Sequence, residues 1–493
     1  MNSLKAVNKS WIPTGIMLLL LFVFLMGGNL KAQNAPPQGG GNQAARPPQT
    51  LRAPDVIPGT LPEMRETSYW IARMSNPDEV ILTTQQIQNR NRTFVQRLEN
   101  YSQLDSLIQR QINADLTSRP GLLTSIPDVT NKSHAEISAM VTGWIDGQIT
   151  FLTRRRGSTN ILGIPYADWE IANMSAEMAS AKDPGRVGVQ PAITVKSSLL
   201  RIVPSLRPEY TSASGAWDMW IYDVLPIATS VKILSRSVTG AYLFILTEKG
   251  YGWVNSEDVA LGSAEEINNF CNARDFILCT GERVPFYSDP GCTYVSGWFR
   301  MGDRLGVSGN SNREVIVPIR LIDGKLSLQR AWLREDADVH RGYLPYTRRN
   351  IVLQSFKLLD FIYDWSGGWY GRDHAKTQRD IFATFGFNFP SMGGLHLAYQ
   401  PIEKITYVRE GKEMQMKAIS AADPFTTIMI CGGGHSLIYL GNYNDMPIML
   451  DTHGYQYTDE NGNNNVMRRL TVQTVNFPDY FLTRDPIWFI ELK

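Results

Sequence analysis

The chain has 493 residues, 43% of them hydrophobic and 19% charged, with a formal net charge of +1. That length suits about three or four domains of ordinary size. The near-neutral balance gives no general argument for nucleic acid or an anionic surface as a partner, and 12 tryptophans fit packed globular domains rather than disorder.

Residues 1–32 read as a signal peptide. Lys5 and Lys9 precede an apolar run at 16–26, and Leu30-Lys31-Ala32 supplies a small-residue cleavage site. A run of about eleven residues is short of the roughly 20 a spanning helix needs. Export to the periplasm or cell envelope, with no stable membrane span afterwards, is therefore expected. Residues 33–60, rich in Pro, Gly and Gln, read as a flexible tether. Residues 61–190 turn helical: Ile87, Phe94, Leu98, Tyr101, Leu104 and Leu107 recur at close to helical spacing between Thr84 and Ile112. Arg154-Arg155-Arg156 reads as a solvated turn.

From Pro191 the periodicity changes to short β-branched or aromatic runs separated by turn residues. One set covers 191–262 and ends at Gly252-Trp253-Val254; a second covers 263–342 and contains an Asp323-Gly324 hairpin signal. Each set describes a small all-β barrel. Between runs of the first lies Trp217-Asp218-Met219-Trp220-Ile221-Tyr222-Asp223. Its interleaved aromatics and carboxylates either grip a ligand's amine or form a core between barrels. Four cysteines, Cys271, Cys279, Cys292 and Cys431, are too few for a disulfide scaffold. Pairings of Cys279 with Cys271 or Cys292 stay open beside the reading of all four as buried thiols.

In 343–493, a Gly-rich loop leads into Asp373, a good N-cap residue. A mostly apolar stripe follows (Ala375, Gln378, Ile381, Phe382, Phe385), and Gly386 stands where a helix-ending glycine belongs. Residue 374 thus opens a short helix, where the amide donors and positive dipole end would activate a thiol. The residue there is His374. Downstream, Leu437 to Leu440 and Pro447 to Leu450 flank a turn-rich connection. A hairpin centred near Asn444 sets His435 opposite His453, Leu437 opposite Asp451 and Tyr439 opposite Met449.

Tyr363, Trp365, Gly367, Gly368, Arg372, Asp373, Phe385, Gly386 and Pro390, with Gly434-His435 and Tyr439-Leu440-Gly441, resemble the NlpC-type family of papain-like cell-wall endopeptidases. The family pattern is Tyr-x-Trp-Gly-Gly, then Asp-Cys-Ser at a helix start, then Phe-Gly-x-x-Leu-Pro. The likeness covers roughly the last 150 residues. The upstream regions look similar to those of larger secreted members, with a helical N-terminal region and two bacterial SH3-like barrels. The resemblance implies an α+β multidomain fold ending in a papain-like domain.

It also implies catalytic roles at Tyr363, at His435 as base, at His453 as its orienter, and at position 374 as nucleophile. It points to Asp218, Tyr222 and Asp373 as ligand-binding residues. The departure is decisive: the family's Cys-Ser is His374-Ala375. The expected function is a secreted, catalytically impaired member that binds peptidoglycan peptides or an envelope-protein partner, with no cofactor and no nucleic acid. The alternative is an active murein-peptide hydrolase with a non-standard nucleophile, or with a metal held by His374, His435 and His453.

Overall fold

The structure is a computed structural model and describes residues 50–52, 55–154, 166–208, 218–309, 311–368, 371–390, 392–400, 406–408, 411–431, 433–459, 461–477 and 486–493. The expected signal peptide, Arg155-Arg156 and Trp217 lie outside them. Of the tether expected at 33–60, residues 33–49 and 53–54 also lie outside them. Thr50–Arg52 forms strand β1, paired in parallel with a strand of the last sheet, and Ile57 packs on Met467.

The next region holds the helices α1 (Thr67–Ile71), α2 (Thr84–Glu99), α3 (Ser106–Ser118), α4 (His134–Arg154) and α5 (Asp168–Ser180), of which α2 and α3 start at side-chain caps. At α2 the Gln86 amide donates to Thr83 Oγ1 and the Thr83 amide donates to Gln86 Oε1, a capping box. The apolar run from Thr84 to Ile112 is two helices rather than one. Asp105 starts a new helix by accepting the Leu107 amide at 2.8 Å. Ile87, Phe94, Leu98 and Leu104 are buried, as their spacing implies.

Two antiparallel sheets follow. The first comprises β2 (Gln190–Thr194), β3 (Ser198–Arg201), β4 (Ile221–Leu225), β5 (Ser230–Arg236), β6 (Tyr242–Thr247), β7 (Gly250–Asn255) and β8 (Val259–Leu261), in the order β4-β3-β7-β6-β5-β2-β8. Helix α6 (Ala264–Cys271) leads to the second: β9 (Phe276–Cys279), β10 (Arg283–Tyr287), β11 (Val295–Arg300), β12 (Arg304–Val307), β13 (Glu314–Arg320), β14 (Leu326–Trp332) and β15 (Val339–Arg341). Its β13–β14 hairpin turns through Gly324, whose φ of 84° needs glycine. β4 was not foreseen, because Asp223 hides the period of a fully buried strand. All four cysteines are free thiols.

The last region adds α7 (Arg348–Phe356), α8 (His374–Ala383), β16 (Thr406–Val408), α9 (Lys412–Ser420), β17 (Thr427–Cys431), β18 (His435–Tyr443), β19 (Met446–Thr458), β20 (Asn464–Thr474) and β21 (Ile487–Glu491). The sheet order is β1-β20-β19-β18-β17-β21-β16. One face of this sheet carries Ile438, Leu440 and Leu450 into the core shared with Ile381 and Phe382 of α8. The other carries Met429, Leu437, Tyr439 and Met449 against Ile419 of α9. Helix α8 is the centre of the arrangement, with every residue from Ala375 to Phe382 buried.

Candidate functional site

Helix α8 begins and ends where its sequence signals stand. Asp373 Oδ1 accepts the Lys376 amide at 2.7 Å, and its Oδ2 accepts the Ser366 amide at 3.0 Å, tying the preceding loop to the cap. At the far end the Gly386 amide reaches Ala383 O at 3.0 Å and the Phe387 amide reaches Phe382 O at 3.2 Å. That pair of bonds is a Schellman stop, with Gly386 at φ 95°.

His374 is the first residue of this helix. Its Nδ1 accepts the Ser436 amide at 3.3 Å and lies 2.9 Å from Ser436 Oγ. With Nδ1 an acceptor, the proton of the neutral ring is on Nε2. Enclosure by protein, reinforced by the neighbouring His435, holds the imidazole well below its ordinary pKa. The His374 and His435 rings lie 4.3 Å apart, centre to centre.

His435 is tied down from behind. Its Nε2–H donates to Asp451 Oδ1 at 2.8 Å, and His453 Nε2 lies 3.0 Å from Asp451 Oδ2 and 2.8 Å from Gln473 Oε1. Gln473 in turn donates to Phe477 O at 2.8 Å, which fixes its amide so that Oε1 faces the imidazole. Burial alone would raise the Asp451 carboxyl, but the two imidazoles outweigh it and hold it far below the usual carboxylate range. Ser436 and Thr452 face α8, Thr452 Oγ1 meeting Thr377 Oγ1 at 2.9 Å. Asp451 and His453, odd-numbered neighbours on β19, occupy the opposite face.

The expected pairing of Tyr439 with Met449 is present, and the same register carries His435 to a place across from His453. The turn itself is Asn444-Asp445, with φ of 49° and 61°, and an irregularity at Leu440 takes up the odd residue. The orienting group is corrected, however. Asp451, not His453, receives the His435 proton, and His453 supports Asp451 from the other side. Face parity put Asp451 and His453 on the His435 side of the strand alike, and a carboxylate is the better acceptor for an imidazole N–H.

Comparison with solved structures gives the architecture a reference. An NlpC/P60 endopeptidase from Photobacterium damselae subsp. piscicida matches 90% of this chain and 99% of its own, with a TM-score of 0.65 at 14% identity. The chain has the NlpC/P60 fold. An NlpC/P60 family protein from Bacillus cereus ATCC 10987 matches 60% of this chain and 98% of its own, with a TM-score of 0.42 at 16% identity. No protein-family model and no curated protein matches the sequence.

Within this NlpC/P60 fold the remaining expected residues are placed as follows. Tyr363 is buried in the loop before α8, its amide donating to Arg468 O at 2.8 Å. Both Asp373 oxygens serve the backbone as a cap. Asp218 is 1% exposed and pairs with Arg201 at 2.7 Å, while Tyr222 is fully buried and donates to Tyr251 O. Burial and these commitments place Asp218 and Tyr222 in the core of the first sheet rather than against a ligand. The three-histidine metal set is not assembled either. Among the described residues the candidate ligand group is His435, Asp451 and His453, within 4.8 Å of one another, and both Nε2 atoms there are spent on the carboxylate.

Sequence reasoning missed the roof. A Cβ on Gly393 would collide with Gly434 O and come 3.2 Å from His374 Cε1, so the 392–394 segment lies directly on the imidazole. Helix α3 covers the same loops with Gln111, Asp115 and Arg119, all buried. A Cβ on Gly434 would stand 3.2 Å from Gln111 Nε2, Arg119 stacks over Trp365 at 4.3 Å, and burial pushes the Asp115 carboxyl up to about 7. The available signal was three polar residues four apart on a helix whose other anchors are apolar.

Behind α8 lies a different construction. Asp380 takes Lys376 and Arg372, each at 2.8 Å, and Arg372 also reaches Glu282 at 3.3 Å. Arg379 pairs with Asp223 of β4, and Arg300 of β11 donates to Gly371 O at 3.0 Å. These contacts join both antiparallel sheets to the helix that carries His374.

Proposed function

We propose that this protein is exported to the cell envelope and binds peptidoglycan peptides in the cleft at the start of α8, with its hydrolytic chemistry impaired. The observation that carries this reading is His374 itself. A neutral imidazole, with Nδ1 occupied by Ser436, stands where a thiol would receive the helix dipole and pass its proton to His435. Cys431 offers no substitute, being wholly buried in the apolar layer of β17. The His435–Asp451 pair supports the same reading, because it keeps a base oriented beside a position that has no nucleophile.

Calorimetry with L-Ala-γ-D-Glu-diaminopimelate, with the mixture assayed for cleavage, tests this. Saturable binding with intact peptide is expected; no binding, or cleavage by the native chain, would sink the proposal. A second reading rests on Ser436, whose hydroxyl is 2.9 Å from His374 Nδ1, a nucleophile–base pair in outline. Ser436 is 1% exposed, beneath the 392–394 segment, so binding ranks first. Covalent labelling by a fluorophosphonate, lost in Ser436→Ala, would reverse that order.

A further inference from the structure

A large cavity lies away from His374. A space of about 1380 Å³ lies behind α8, where the helical region, both antiparallel sheets and the last region meet. It is lined by Arg379, Asp380 and Ala383 of α8, by apolar side chains such as Ile126, Val231 and Phe276, and by Lys249 from the β6–β7 turn. Small-molecule sites usually occupy about 300–1,000 Å³, with apolar walls and a few placed polar groups.

The charged groups on α8 and on the second antiparallel sheet around this space are committed. Arg379 is held by Asp223, and Asp380 by Lys376 and Arg372. Arg304 donates to Tyr343 Oη at 2.9 Å, Asp303 accepts the Arg300 amide at 2.8 Å, and Lys232 reaches Thr130 Oγ1 at 3.4 Å. Among the described residues nothing receives the Lys249 ammonium, and the adjacent Glu248 is exposed and makes no ion pair with it. Burial and the neighbouring Arg379 lower the Lys249 pKa, while Glu248, Asp223 and Asp380 act in the opposite direction. Lys249 is half-buried, so its ammonium lines the cavity with donors that no acceptor among the described residues takes.

We propose that this cavity is a second binding site, separate from the His374 cleft, for an apolar molecule carrying one anionic group, with Lys249 as its anchor. The apolar walls take the body of such a ligand and the ammonium takes its charge. Cys271 provides a reporter. It lines the same cavity and is partly exposed, whereas Cys279, Cys292 and Cys431 are buried.

The test uses the full chain and two dyes with one ring system, anionic 1-anilinonaphthalene-8-sulfonate and uncharged N-phenyl-1-naphthylamine. One sulfonate dye should bind per chain and slow N-ethylmaleimide modification of Cys271 at least fivefold. Lys249→Ala and Lys249→Gln should weaken the sulfonate dye at least tenfold and leave the uncharged dye within twofold, which also shows that the variants keep the cavity. Displacement by dodecanoate or by N-acetyl-leucine tells a single-chain lipid from a peptide carboxylate. Sulfonate binding within twofold of native in both variants, unprotected Cys271, or displacement by neither compound would overturn the assignment.

Discussion

Helix α8 serves two regions that handle charge in opposite ways. At its start two imidazoles, His435 and His453, share Asp451, and the neutral His374 stands beside His435. Behind it, full charges are matched one to another through Asp380, Lys376, Arg372, Arg379 and Asp223. Burial would raise the Asp380 carboxyl, but the surrounding cations outweigh it and hold it far below its ordinary range. The rear network ties separate sheets to the helix by matching each of these charges to another. The front region keeps a ring nitrogen of His435 away from Asp451, beside position 374. Assembly and chemistry are thus separated by the thickness of one helix.

The sharpest way to break this comparison is at the rear. Asp380→Ala strands Lys376 and Arg372 in the interior and should cost about 3–5 kcal/mol of stability, read by denaturant unfolding. Acid comes next. His396 is buried, its Nε2–H bonded to Pro390 O at 2.9 Å, and burial lowers its pKa to about 4. His374 is lowered for the same reason. A histidine whose folded pKa is depressed takes its proton only in the unfolded chain, so stability falls as pH drops from about 6.5 toward 4. His396 alone accounts for about 3 kcal/mol over that range. The depressed carboxyls of Asp380 and Asp451 contribute above about pH 4 and lose that contribution only below it. Unfolding curves of His396→Gln should therefore be flatter than native between pH 6.5 and 4 and parallel to it below.

At the front the expected costs are smaller and functional. Asp451→Ala leaves the buried His435 Nε2–H without its acceptor, while His453 keeps Gln473, for about 1–3 kcal/mol, and should weaken peptide binding by freeing the His435 ring. His374→Ala should change stability by less than about 1 kcal/mol, because it removes one hydrogen-bonded ring from a partly exposed site. A larger loss would mean that His374 is a structural group like those behind the helix.

The legible parts of the fold were those whose signals are local. The cap at Asp373, the stop at Gly386 and most strands of the two antiparallel sheets follow from turn residues and period. The alignment of His435 with His453 came from strand alternation, and it survived a misplaced turn because the irregularity at Leu440 compensated. What was not legible depends on contacts distant in sequence. Asp223 looks like a surface carboxylate until Arg379, 156 residues away, neutralises it inside a strand. Asp218 is likewise absorbed by Arg201, and Gln111 and Asp115 read as one polar face of a helix until they close over Gly394 and Gly434.

The central claim of the proposed function is that the missing thiol at position 374 keeps this site from acting as a peptidase. The direct measurement is cleavage of L-Ala-γ-D-Glu-diaminopimelate by the native protein and by His374→Cys, each with and without His435→Ala. Turnover is predicted for His374→Cys, sensitive to alkylation and abolished by adding His435→Ala, and none for the native chain. Equal turnover by the native chain, or an inert His374→Cys that still binds the peptide, would contradict it.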